Sequence, residues 1–210
     1  MNLDRPLRVV TPTVDGDVLA VLARAAGPFT VPQVHHLLGH FSESGVRKTL
    51  QRLSAEGIVL RDRVGNAWTY RFNRDHLAAL CVIGLADLRV ELLARLRNAM
   101  QGWPIPADFA AVFGSAATGG MRADSDIDLF VVRPAGTLGD DPGWRDQLDG
   151  LSAQVSRWTG NDGRVLELGA EEVASRISSG ATPVLADILE HGLVVAGADN
   201  YLRQIGAAHE

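Results

Sequence analysis

Two short apolar runs, residues 110–113 and 129–132, bracket a segment that opens on glycine and closes on acids. Gly114 and Ser115 end the first run, ten residues follow, and then come Asp126, Ile127 and Asp128 at the head of the second. Short apolar runs bounded by turn residues read as buried strands, and a Gly-Ser pair at a strand end reads as a sharp turn. Side chains at i and i+2 of a strand share a face. Asp126 and Asp128 are therefore expected to converge while Ile127 and Leu129 enter the core. An Asx-type turn accounts for Asp124 and Ser125. It does not account for Asp128, which sits inside an apolar run where an unpaired carboxylate is costly. Paired carboxylates repel unless a cation lies between them. Mg²⁺ suits hard oxygen ligands and commonly takes one or two carboxylates plus substrate phosphates. The glycine turn supplies the other half, because it lets backbone amides approach a phosphate closely.

The set Gly114, Ser115, Asp126 and Asp128 resembles the hallmark of the minimal nucleotidyltransferases of the DNA polymerase β superfamily, in which Gly-Ser precedes Asp-x-Asp by about ten residues. The resemblance covers roughly residues 105–200. It implies transfer of a nucleotidyl group from a nucleoside triphosphate, ATP being expected, to a hydroxyl acceptor, with pyrophosphate leaving. Asp126 and Asp128 would hold Mg²⁺, and Gly114, Ser115, Thr118 and Ser125 would contact the nucleotide. The superfamily adds a third acid from a later strand, for which the run 164–168 offers Glu167, with Val165 on its face and Leu166 and Leu168 on the other. Some minimal members act in toxin–antitoxin pairs and modify a partner protein, so a protein acceptor is expected by analogy. A nucleotide sensor without turnover is the competing expectation.

The first half carries a different pattern. Val18, Leu19, Leu22 and Ala25 recur at helical spacing over residues 15–25, ended by Gly27-Pro28. Thr30 caps a second helix to about Leu38, and Ser42 caps a third over 43–56 that buries Val46, Leu50 and Leu53. Strands at 58–61 and 68–72 flank a turn at 64–66. Three helices and a hairpin in this order resemble a winged helix-turn-helix, which implies binding of double-stranded DNA. Ser44, Arg47, Lys48, Gln51 and Arg52 are the outward residues of the third helix, of the types that read base edges and phosphates. Arg61, Arg63 and Arg71 of the hairpin are expected on backbone phosphates. A solvated helix face looks similar, and a protein-docking module stays open. His35, His36 and His40 have no partner ligands at metal spacing and read as ordinary helix and turn residues.

The fold class expected is α+β: a winged helix-turn-helix over 1–74, a connector helix over 75–102 and a mixed α/β nucleotidyltransferase domain over 103–210. The connector pattern runs from 75 to 100 with Leu77, Leu80, Leu88, Leu92 and Leu96 in a stripe. As one helix it would span about 40 Å and serve both as a link and as a homodimer seam. Cys81, the single cysteine, reads as a packing residue, and its lack of a pairing mate gives no sign of secretion. No apolar stretch reaches the roughly 18 residues needed to span a bilayer, and the first residues lack a signal-peptide core. A cytoplasmic location and no membrane partner are expected. Charge is uneven: residues 1–100 hold 13 Lys and Arg against 9 Asp and Glu, and residues 101–210 hold 7 against 16. A basic first half suits a polyanion, whereas an acidic second half suits a metal and not a long nucleic-acid track.

Overall fold

The computed structural model describes residues 1–178 and 183–207. The chain divides into two compact units, Asn2–Arg89 and the residues from Val90 onward together with Met1. In the first, a 3-10 turn (Pro6–Val9) precedes α1 (Val14–Arg24), a two-residue strand β1 (Phe29–Thr30), α2 (Val31–Leu38) and α3 (Glu43–Ala55). Local chemistry sets the helix starts. The Gln33 side-chain oxygen accepts from the Thr30 amide at 2.8 Å, closing a capping box, and Ser42 Oγ accepts from the Gly45 amide at 3.1 Å. A hairpin follows, β2 (Val59–Val64) and β3 (Ala67–Phe72), with Val64 paired to Ala67 across a two-residue turn. Gly65 in that turn has φ of +60°, a conformation glycine adopts without steric cost. Strand order is β1-β3-β2, all antiparallel. Val18, Leu22, Val34, Val46, Leu50, Tyr70 and Phe72 fill one core beneath these elements.

A single connector helix over 75–100 does not form. The chain makes α4 (Ala79–Ala86) and α5 (Leu88–Gln101), broken at Asp87. At the break the Arg24 guanidinium, at the end of α1, donates to the Ala86 carbonyl. Ala79 and Ala86 pack into the first core, while Leu77, Leu80 and Cys81 are exposed, Leu77 fully. The expected leucine stripe therefore splits. Leu92 and Leu96 of α5 are buried, and its residues from Val90 onward belong to the second unit.

The second unit continues from α5 through β4 (Phe109–Phe113), a single turn α6 (Ser115–Thr118), β5 (Ile127–Arg133), α7 (Pro142–Thr159), β6 (Gly163–Gly169), α8 (Ala170–Ser178), α9 (Pro183–His191), β7 (Leu193–Ala196) and α10 (Tyr201–Ala207). The sheet order is β6-β5-β4-β7, with β5 and β6 parallel and β4 antiparallel to β5 and β7. One face carries Phe109, Ala111, Phe130, Val132 and Leu168 into a core with Val173, Leu185, Ile188 and Leu202 from α8, α9 and α10. Ile127, Leu129 and Val131, which alternate with those residues, are buried on the other face. α7 packs along β6 so closely that a side chain on Gly163 would lie 2.8 Å from the Ser152 carbonyl and 2.9 Å from Val155 Cβ. Asp141 caps α7 by accepting from the Trp144 amide at 3.0 Å. The apolar runs 110–113, 129–132 and 164–168 lie within β4, β5 and β6. Among the described residues, no helix is long and apolar enough to cross a membrane.

Candidate functional site

The strand-end glycine and the paired acids meet at one end of the sheet. Gly114 follows β4 with φ of +67° and ψ of −148°, a region that residues with a Cβ avoid. A side chain built there would lie 2.9 Å from Asp128 Oδ2. The turn thus has to be glycine both for its backbone and for the carboxylate pressed against it. Asp128 is the cross-strand partner of Phe113 on β4 and of Arg164 on β6. Asp126 stands just before β5, on the far side of the fully buried Ile127. Burial and the Asp126 charge push the Asp128 carboxyl above the usual carboxylate range, and the Arg164 charge opposes them. The Asp126 charge thus acts on Asp128, which shares its strand face by alternation.

Hydrogen bonds fix the segment between glycine and acids. The amides of Ala117 and Thr118 both donate to the Gly114 carbonyl at 3.0 Å, and so does Thr118 Oγ1. Ser125 Oγ accepts from the Arg122 amide at 2.9 Å. Thr118 and Ser125, expected on the nucleotide, therefore close the two turns that shape the loop. Asn161 is the residue that sequence reasoning undervalued. It is buried, and its amide nitrogen donates to the carbonyls of Ala123 and Ser125 at 3.1 and 2.7 Å. Beside it the Ile127 amide donates to the Asp162 carbonyl at 2.8 Å. The turn between α7 and β6 thereby anchors the loop that presents both acids. The signal in the sequence was an asparagine in a turn, which local turn chemistry already explained.

Glu167 does not join them. It pairs in register with Val131, and Asp128 pairs with Arg164, so Glu167 belongs to the opposite sheet face. Its carboxylate forms an ion pair with Arg133, half-buried beside Gly139 and Gly169. What β6 sets opposite the acid pair is a base: Arg164 Nη1 lies 2.6 Å from Asp126 Oδ2. Among the described residues, no cluster of three or more His, Cys, Asp or Glu is arranged to hold a metal.

In the first unit, Ser44, Arg47, Lys48, Gln51 and Arg52 share an exposed face of α3. Two of the cations are engaged internally, Arg47 with Glu43 at 2.5 Å and Arg52 with Asp15. Strand pairing divides the hairpin arginines. Arg61 and Arg63 share a face with Trp68, whose ring Arg61 covers at 3.6 Å, while Arg71 lies on the other face, 3.5 Å from Asp62. Trp68 is 43% exposed and was not singled out from sequence.

The nucleotidyltransferase domain family matches residues 93–159, a stretch that contains Gly114, Ser115, Asp126 and Asp128. That segment is nucleotidyltransferase-like. Nucleotidyl transfer is accordingly its enzyme class. No curated protein matches the chain. Among solved structures, it is similar to a mutant of the toxin–antitoxin MntA–HpeT, at 15% identity and a TM-score of 0.39, over 56% of this chain and 82% of that one. It is also similar to a toxin–antitoxin with AMP-PNP, at 18% identity and a TM-score of 0.35, over 59% and 82%. The acid pair of the nucleotidyltransferase-like segment fits a Mg²⁺ ion by its chemistry. Both donors are hard oxygens, and a cation would relieve the repulsion that burdens Asp128. Two carboxylates leave the rest of the coordination shell to water and phosphate oxygens, as Mg²⁺ prefers.

Proposed function

We propose that the protein transfers a nucleotidyl group from a nucleoside triphosphate, ATP by expectation, to a hydroxyl acceptor in a Mg²⁺-dependent reaction. The observation that carries this reading is the seat of Asp128 against Gly114, with Asp126 beside it. The only backbone that fits there is one without a side chain, and it brings a phosphate-binding turn to the same point as two acids. Asp126 and Asp128 would hold the Mg²⁺ ion, which when bound neutralises phosphate charge. Gly114 and Ser115 would bind the triphosphate through backbone amides and the Ser115 hydroxyl. Asn161 keeps the acid-bearing loop in place. The acceptor oxygen forms its bond to the α-phosphorus as the bond to the bridging oxygen breaks, and pyrophosphate leaves with the electron pair. The hydroxyl proton passes to solvent, since Glu167 faces away.

The acidic character of the second half favours a protein or small-molecule acceptor over a long nucleic acid. The first unit is proposed to be a winged helix-turn-helix that binds double-stranded DNA through α3 and the hairpin, in a homodimer that represses its own operon in the manner of toxin–antitoxin pairs. A second reading, a DNA-binding regulator whose catalytic domain senses nucleotide without turnover, draws support from the Arg164–Asp126 pair where a third carboxylate was expected. Incubation of a lysate with α-labelled ATP and wild-type or Asp126→Ala/Asp128→Ala protein separates the two. The transferase reading expects label on an acceptor with wild type alone. Equal labelling by both proteins, or nucleotide binding with no label on any acceptor, overturns it.

A further inference from the structure

Two arginines on neighbouring strands are held in opposite ways. Arg133 is 19% exposed, paired with Glu167 and wedged so tightly that a side chain on Gly139 or Gly169 would collide with its guanidinium. Arg164 is 65% exposed, and what the structure gives its guanidinium is a carboxylate of the acid pair, Asp126 Oδ2 at 2.6 Å. The first is locked by packing; the second is held by charge alone and is free to swing. Strand register nonetheless fixes its root opposite Asp128, within reach of the acid site. A divalent cation on Asp126 competes with Arg164 for Oδ2 and repels the guanidinium. Once that carboxylate turns to a cation, the guanidinium loses its partner beside a newly arrived triphosphate, whose oxygens accept its planar donor fork in pairs.

We propose that Arg164 is a two-position counterion, which holds Asp126 in the nucleotide-free protein and moves onto the phosphate oxygens when nucleotide binds with the metal. The inference rests on the nucleotidyl-transfer reading above. In the second position the guanidinium donates to oxygens that gain charge as the bond between the α-phosphorus and the bridging oxygen breaks. It forms no covalent bond and keeps its protons throughout. The site thus carries a mobile cation where a third fixed carboxylate was expected.

Metal affinity and nucleotide affinity should then respond to Arg164 with opposite signs. The experiment measures Mn²⁺ alone by electron paramagnetic resonance, and α,β-methylene-ATP with Mg²⁺ by calorimetry, on wild type, Arg164→Ala and Arg164→Lys. Losing the competitor should tighten Mn²⁺ binding about two- to fivefold in Arg164→Ala, the scale of an exposed ion pair. The same variant should bind the analogue about 10- to 100-fold more weakly, the scale of hydrogen bonds to a charged group, with Arg164→Lys intermediate in both. Exposure of the side chain predicts an unchanged melting temperature, which verifies folding. Both affinities moving in the same direction, or an analogue affinity indifferent to Arg164, overturns the proposal. Wild-type protein that binds neither probe sinks the nucleotidyl-transfer reading itself, a result distinct from either.

Discussion

Asp128 sits where burial and the Asp126 charge both disfavour its ionised form, so its carboxyl titrates above the ordinary value of 3.8. Between that ordinary value and the raised one, the folded state binds more protons than the unfolded chain. Stability therefore falls as pH climbs through this window and levels off above it. Asp128→Asn removes the dependence. Its nucleotide-free stability at neutral pH should rise by about 0.5–2 kcal/mol, the scale of surface-charge optimisation, with a higher melting temperature, while transfer is lost. Thermal melts of both proteins from acid to neutral pH check this; a wild type whose stability rises across the window contradicts the assigned direction. Gly114→Ala tests the other half of the contact. The backbone there is essentially reserved to glycine, at a cost of about 1–3 kcal/mol for a residue with a Cβ, and the added Cβ would also displace Asp128. Urea denaturation should show that loss together with weakened Mn²⁺ binding, whereas an alanine variant of wild-type stability removes the steric argument.

At the scale of elements, β6 decides which side chains the site receives. Parallel pairing of Asp128 with Arg164 puts every second residue of β6 on the acid face, and Glu167 falls outside that set. Glu167→Gln should therefore leave the transfer rate within about twofold while costing about 1–3 kcal/mol for the stranded charge of Arg133. A loss of rate of 100-fold or more would restore Glu167 to the chemistry. The register was illegible in the sequence because both faces of the run 164–168 are partly apolar, and a shift of one residue exchanges them. The Gly114–Asp128 meeting was legible because a strand, a turn and a strand close in space leave little freedom between them. Other features failed for want of distant partners. The break at Asp87 lies beside Arg24, and the role of Asn161 rests on carbonyls at 123 and 125. Periodicity sees neither; it also cannot tell that Leu77 and Leu80, spaced as a helix stripe, end up exposed.

Across the whole molecule, charge is segregated in the same sense as chemistry, with basic residues in excess before residue 100 and acids after it. If the first unit binds DNA, its phosphate contacts must be drawn from cations that the fold already engages in part. Arg47, Arg52 and Arg71 each face an acid of the same unit, Glu43, Asp15 and Asp62. Each such contact exchanges one ion pair for another, so net affinity is modest and strongly dependent on salt. With about three to five phosphates neutralised, the slope of log affinity against log salt should be about −3 to −5. Arg47→Ala/Arg52→Ala should flatten it by about two units and leave nucleotidyl transfer untouched. Asp126→Ala/Asp128→Ala should do the reverse, abolishing transfer with the DNA slope intact. Fluorescence anisotropy with duplex DNA over a salt series, beside the labelled-ATP assay, reads both arms. A slope near zero in wild type removes the DNA-binding reading. A slope that survives the arginine substitutions moves the interface off α3, and the Arg61–Trp68 face of the hairpin is then the surface to substitute.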